Sequence, residues 1–179
     1  MKGEKEKMMS GELYLASDPE LVEGRARAKE LFREYNRDPR QFLLERLLGS
    51  CPEEVVIEPD FKCDYGFNIH LGENFYSNFD LTILDVCEVR IGANCLIGPG
   101  VSLYTASHPL DRETRRLGLE NGAPITIGDD VWIGGRSVIN PGVALGSNVV
   151  VASGSVVTKS FPDNCLIAGV PAREIRKLS

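Results

Sequence analysis

The chain has 179 residues, 42% hydrophobic and 26% charged, the balance of a globular domain able to bury a sizeable core. Its formal net charge of −6 excludes a broad nucleic-acid-binding surface, which would be basic. The N-terminal MKGEKEKMMSGELY lacks the apolar core of a secretory signal, and no run approaches the ~18 apolar residues of a membrane span, so a cytoplasmic protein is expected.

The first fifty residues read as helical. Asp18-Pro19-Glu20 offers an N-cap, a proline at the first helical position and an acid in the first turn, and Leu21, Ala28, Phe32 and Tyr35 follow on one face. Asp38-Pro39-Arg40-Gln41 predicts a second helix with Gln41 in capping-box position, an apolar face of Phe42, Leu44, Leu47 and Leu48, and Gly49 as its C′ residue. Helices this few are not stable alone, so this region (residues 1–54) is expected to pack on the remainder of the chain.

Residues 55–179 obey a different rule. From Ile127 to Phe161 the chain repeats every six residues: Ile127, Ile133, Ile139, Leu145, Val151 and Val157 hold one phase. Val131, Ser137, Val143, Val149, Ser155 and Phe161 stand four positions after each. Neither a helix, with period 3.6, nor a single strand, with period 2, makes a six-residue cycle; short strands joined by tight turns in a parallel β-helix do. Leu71-Gly72, Ile91-Gly92 and Ile97-Gly98 extend the pattern imperfectly over 55–103, with Cys95 and Val101 at the fifth slot. Ile83 to Ile91 spans eight residues, which a two-residue insertion at one corner would absorb. The fold expected is mainly β: a β-helix with a short α-helical N-terminal region.

Between Leu103 and Ile127 the cycle stops for 24 residues, and a polar, irregular loop over 104–124 is expected to project from a corner. It carries His108, one of two histidines in the chain and the best candidate for a general base, since imidazole titrates near neutrality. His70, inside the repeat, reads as structural. Lys159, Arg173, Arg176 and Lys177 form a basic C-terminal patch suited to phosphates, or equally a solvated tail. The five cysteines (Cys51, Cys63, Cys87, Cys95, Cys165) are odd in number with no C-x-x-C pair and read as reduced, buried thiols; no metal site is expected.

Four segments with a short C-terminal one, GELY with its helix, CDYGFNIHLGENFYSNFD, YTASHP, ITIGDDVWIGGRSVINPGV and AGVPAR, together resemble the maltose/galactoside O-acetyltransferase family of the hexapeptide-repeat acyltransferases. The resemblance implies a left-handed β-helix, a homotrimer with interfacial active sites, acetyl-CoA as co-substrate and no metal. It also implies acetyl transfer to a sugar hydroxyl, the 6-OH of a maltose-, glucose- or galactoside-type acceptor. It assigns His108 as base, Asn78 beside the reacting groups, and the Gly135 backbone N–H opposite the acetyl carbonyl. Arg25 and Tyr76 line the acceptor pocket in this reading. Trp132, Ser153, Thr158, Lys159, Arg173 and Arg176 contact the coenzyme. The family's early acid is matched here only by Asp18, for which helix capping is an equal explanation. After Asp85 a second expected acid is Val86, so Asp85 alone is assigned to the acceptor. Alternatives are a relative acetylating an antibiotic, a nodulation-type oligosaccharide or serine, and a non-catalytic scaffold. A β-helical carbonic anhydrase needs three zinc-binding histidines and fails on the count.

Overall fold

Each register of the six-residue cycle becomes one side of a triangular coil in the computed structural model, which describes residues 2–179. The coils stack as a left-handed parallel β-helix with three faces. The first face aligns Val56–Ile57, Tyr76–Ser77, Leu96–Ile97, Trp132–Ile133, Val149–Val151 and Cys165–Gly169 in parallel, and Ala172–Lys177 returns antiparallel along the last of them. The second face stacks Lys62–Cys63, Thr82–Leu84, Ser102–Tyr104, Val138–Ile139 and Val156–Val157. The third stacks Ile69–Leu71, Val89–Ile91, Ile125–Ile127 and Ala144–Leu145.

The phase-holding aliphatics from Ile127 to Val157 all point inward, at 2% exposure or less. Strand alternation then sends the neighbouring residue outward. The outward column of the first face is Val56, Tyr76, Leu96, Trp132, Val150 and Leu166, apolar apart from one phenol; the third face instead presents His70, Arg90, Thr126 and Ala144. At the edge from the third face to the first, Asn74, Asn94, Asp130, Asn148 and Asn164 take left-handed φ between 54° and 58°, which Asn and Asp tolerate better than other side-chain-bearing residues.

The edge from the second face to the third is the irregular one. Cys63 to Leu71 and Ile83 to Ile91 each take eight residues there, and Leu103 to Ile127 takes 24, all at the same corner of successive coils. The long excursion is more ordered than its polar sequence suggests. Ala106–Ser107 and Leu119–Gly122 form an antiparallel hairpin around a short helix, Arg112–Arg116, and Tyr14–Leu15 adds a third strand. These strands are held by pairing across the chain and leave no alternation to read.

In the N-terminal region, helix α1 (Glu4–Met9) precedes α2 (Pro19–Arg37) and α3 (Gln41–Leu47). The Asp18 carboxylate caps α2 by accepting from the Glu20 N–H at 3.0 Å, as its position predicts. The second cap does not form. Asp38 closes α2 and pairs with Arg40, which itself precedes α3, while Gln41 Nε2 donates to the Pro52 carbonyl at 2.8 Å. On α3 the buried face is Leu43, Leu44 and Leu47; Phe42, expected inside, is 45% exposed. Gly49 is not a left-handed cap either. A Cβ there would lie 2.3 Å from the Phe67 carbonyl oxygen, so the glycine serves close packing of the helix end on the first coil. Leu31, Tyr35, Leu43 and Leu47 share one buried cluster with the interior of the prism. Among the described residues no helix is long and apolar enough to cross a membrane, and no cluster of His, Cys, Asp or Glu is placed to hold a metal ion. Cys51 is half-buried, the other four thiols are buried, and none is bridged.

Candidate active site

The irregular edge builds a cleft of about 310 Å³ from three stacked corners. The first corner contributes Asp64 and Tyr65, the second Leu84 and Val86, and the excursion Ala106, His108 and Glu120; Tyr14, Ala16 and Arg25 close it from the N-terminal region. Arg25 is held from two sides, its Nη1 donating to Tyr65 Oη at 2.5 Å and its Nη2 to the Ala16 carbonyl at 2.7 Å. Tyr14 Oη donates to Glu120 Oε2 at 2.9 Å, and burial with that carboxylate pushes the phenol up. Burial also raises the Asp64 acid, opposed by the Arg25 charge and reinforced by Glu120. His108 is exposed at the rim. Neither nearby acid engages its ring: Asp111 caps the short helix through the Thr114 N–H and hydroxyl, both at 2.7 Å, and Glu113 pairs with Arg112 and Arg116.

Buried polar side chains tie these corners together from inside. Thr105 Oγ1 donates to the Leu84 carbonyl at 2.7 Å and accepts from the Cys87 N–H at 2.9 Å. Asn68 Nδ2 donates to the Asp85 carbonyl at 2.7 Å. Asp85 is fully buried, and its Oδ1 accepts from the Asp64 and Tyr65 N–H groups at 3.0 and 2.9 Å. The expected acceptor contact at Asp85 is therefore corrected: the side chain turns under the cleft wall because the enlarged corner leaves backbone donors that need a buried acceptor. Asp18 is outside the cleft lining as well, occupied in capping α2.

A second depression, a groove of about 510 Å³, lies on the first face and at its edge with the second, bordered by Tyr76, Asn78, Leu96, Pro99, Trp132, Gly135 and Ser153. Trp132 stands out at 54% exposure. Asn78 Oδ1 accepts from the Phe79 N–H at 2.7 Å, which fixes its side chain. The Gly135 N–H makes no hydrogen bond among the described residues, and a Cβ on Gly98 would sit 2.5 Å from that nitrogen. Two glycines thus leave an unoccupied backbone donor open to the groove.

The expected site residues accordingly fall into two sets. Arg25 and His108 meet at one edge of the prism, with Thr158 and Lys159 further up it; Tyr76, Asn78, Trp132, Gly135 and Ser153 meet at another. Arg173 and Arg176 lie on the terminal antiparallel strand along the first face. Tyr76, expected beside Arg25, belongs to the other set. Tyr14, Asp64, Tyr65 and Glu120 were not marked by the six-residue period, although Tyr14 and Asp64-Tyr65 lie within the GELY and CDYGFN segments.

A hexapeptide β-helix with a histidine on a projecting excursion and a glycine-lined groove is the architecture of the hexapeptide-repeat acyltransferases. Residues 7–52 match the maltose acetyltransferase hexapeptide capping motif, and residues 124–159 match the hexapeptide repeat of succinyl-transferase. The chain is 43% identical to the galactoside O-acetyltransferase of Escherichia coli, over 97% of this chain and 89% of that protein. The crystal structure of a maltose O-acetyltransferase from Clostridium difficile is 46% identical and superposes with a TM-score of 0.97, covering 99% of this chain and 98% of the other. A galactoside acetyltransferase in complex with coenzyme A is 41% identical with a TM-score of 0.92, covering 100% of this chain and 92% of that one. The chain belongs to the maltose/galactoside O-acetyltransferase family and is an acyltransferase.

Proposed function

We propose that the protein transfers acetyl from acetyl-CoA to a sugar hydroxyl, the 6-OH of a hexose, with His108 as general base, and that it works as a homotrimer in the reducing cytoplasm. The observation that carries the reading is the division of the site. One chain holds a base-bearing cleft and an open-donor groove on different edges of a triangular prism, so neither encloses a reaction by itself. A three-fold assembly sets the irregular edge of one copy against the first face of the next, and that face carries the apolar outward column that such a contact would bury. The unpaired thiols support the compartment.

In this arrangement the coenzyme supplies an activated acetyl group along the groove, with the pantetheine arm near Trp132 and its phosphates near Arg173 and Arg176 on the strand that closes the same face. Asp64, Arg25 and Tyr14 offer a carboxylate, a guanidinium and a phenol, groups suited to the many hydroxyls of a sugar. His108 takes the proton of the attacking hydroxyl as the oxygen bonds to the thioester carbon, and later returns it to the departing thiolate. The Gly135 N–H donates to the carbonyl oxygen as its charge develops. Asn78 flanks the same groove and orients the reacting groups.

Thiol release from acetyl-CoA, followed over a panel of mono- and disaccharides, tests the activity. A sugar hydroxyl is expected to support turnover and a 6-deoxy sugar is not; no acetyl-dependent release with any sugar would overturn the acceptor class. Sedimentation is expected to show three copies, and a stable, active monomer would defeat the interfacial site.

A further inference from the structure

Asp85 sits on an enlarged corner, yet its carboxyl faces inward, fully buried, with Oδ2 lacking any hydrogen-bond partner. Its Oδ1 gathers two consecutive N–H groups, those of Asp64 and Tyr65, from the corner of the coil before. Asn68 locks the Asp85 backbone in turn, donating to the Asp85 and Val86 carbonyls at 2.7 and 3.3 Å. The side chains of Asp64 and Tyr65 then project into the cleft, where the Tyr65 phenol receives the Arg25 guanidinium.

We propose that Asp85 is a positioning residue for the acceptor: it fixes the Asp64–Tyr65 corner, and through Tyr65 the Arg25 guanidinium, without touching any substrate. This rests on the reading of the His108 cleft as the acceptor site. A carboxyl oxygen has lone pairs for both donors, and so has the oxygen of a carboxamide. The coenzyme-side groove draws nothing from this corner, so the effect is confined to one substrate. From the preceding coil the Asp64 charge acts on Asp85, and the Cys63 thiol is pushed up by burial first and then by the Asp85 charge. Beyond the wall stand Tyr14, Glu120 and Arg25, and His108 at the rim. Burial lifts the Asp85 acid to about 7, against the pull of the Tyr65 N–H, so its ionisation falls within an accessible pH range.

The test uses the full-length protein with D85A, which removes the acceptor, and D85N, which keeps an oxygen on the same stem. D85A is expected to speed amide hydrogen exchange at Asp64 and Tyr65, and to raise acceptor KM, by about tenfold or more while acetyl-CoA KM stays within about twofold. D85N is expected to restore both. In the parent protein the Asp64 and Tyr65 amide shifts should titrate around pH 7, and in D85N they should not. Unchanged exchange in D85A, or a parallel rise in both KM values, overturns the proposal. If D85A does not fold, D85N decides: amides of Asp64 and Tyr65 less protected there than in the parent protein, or an acceptor KM raised in D85N, overturns it. Should the parent protein acetylate no sugar, the functional reading fails, while exchange and titration still judge Asp85.

Discussion

Two edges of the prism solve the same turning problem in opposite ways. Where the third face meets the first, five successive coils after the first turn in the same number of residues with an Asn or Asp in the left-handed region. The side chains bond upward from coil to coil: Asn74 donates to Asn94 at 3.0 Å, Asn94 to Asp130 at 3.1 Å, and Asn148 to Asn164 at 2.9 Å. Where the second face meets the third, three successive corners are enlarged, and buried Asn68, Asp85 and Thr105 serve the displaced backbone. The regular edge satisfies itself with exposed side chains and presents little for chemistry. The enlarged one requires polar groups in the interior, and the loops they support bring Asp64, Arg25 and His108 together. Departure from the repeat is a local cost to folding that gathers polar side chains into one cleft.

Substitutions on the two edges should therefore separate activity from stability. The largest effect is expected from His108→Ala, which should lower kcat/KM by roughly 10²–10⁴-fold with an unchanged unfolding transition, measured by thiol release and denaturant titration. Next is the pH dependence of stability at Asp85. Its acid is raised on folding from 3.8 to about 7, so the folded state holds the proton more tightly. Its contribution is full below the unfolded value and is lost as pH rises through the folded one. At about 1.4 kcal/mol per unit, the parent protein should lose on the order of 4 kcal/mol relative to D85N between pH 4 and 7, read from paired unfolding curves. On the regular edge, Asn94→Val forces a β-branched residue to φ 58° and breaks the ladder on both sides. It should cost about 1–3 kcal/mol in stability and leave kcat per folded molecule unchanged. Smallest is Asp18→Ala, expected to cost about 1 kcal/mol through the lost α2 cap with no change in acceptor KM. A clear rise in that KM would return Asp18 to the site.

Much of the regular architecture is visible in the residues because a six-residue cycle is a local, repeated constraint. Ile133 and Val151 are inward because every neighbour in phase is inward, and the break after Leu103 marks the excursion that carries His108. The cleft is less visible, since it joins residues 14, 25, 64, 108 and 120 from separate stretches. Tyr14 enters by pairing antiparallel with Glu120, a contact with no signature in either segment. Asp85 carries an acid where the family pattern suggests a substrate contact, but nothing local reveals that the corner folds its carboxyl inward. The misread cap at Asp38 has a similar origin: one aspartate stood between two helices, and closing α2 took precedence over opening α3.

The first coil exposes backbone groups that a preceding coil would otherwise pair, and α2 covers them. Asn36 uses its amide as a surrogate peptide, donating to the Phe61 carbonyl at 2.8 Å and accepting from the Phe61 N–H at 3.0 Å, while Tyr35 Oη donates to the Ile57 carbonyl at 2.7 Å. At the far end the antiparallel strand Ala172–Lys177 occupies the edge of the last coil. A solenoid left open at both ends is a template for its own copies, able to add end to end into a fibre. Two side chains on one helix and a reversed final strand thus terminate a structure whose own geometry would permit unlimited growth.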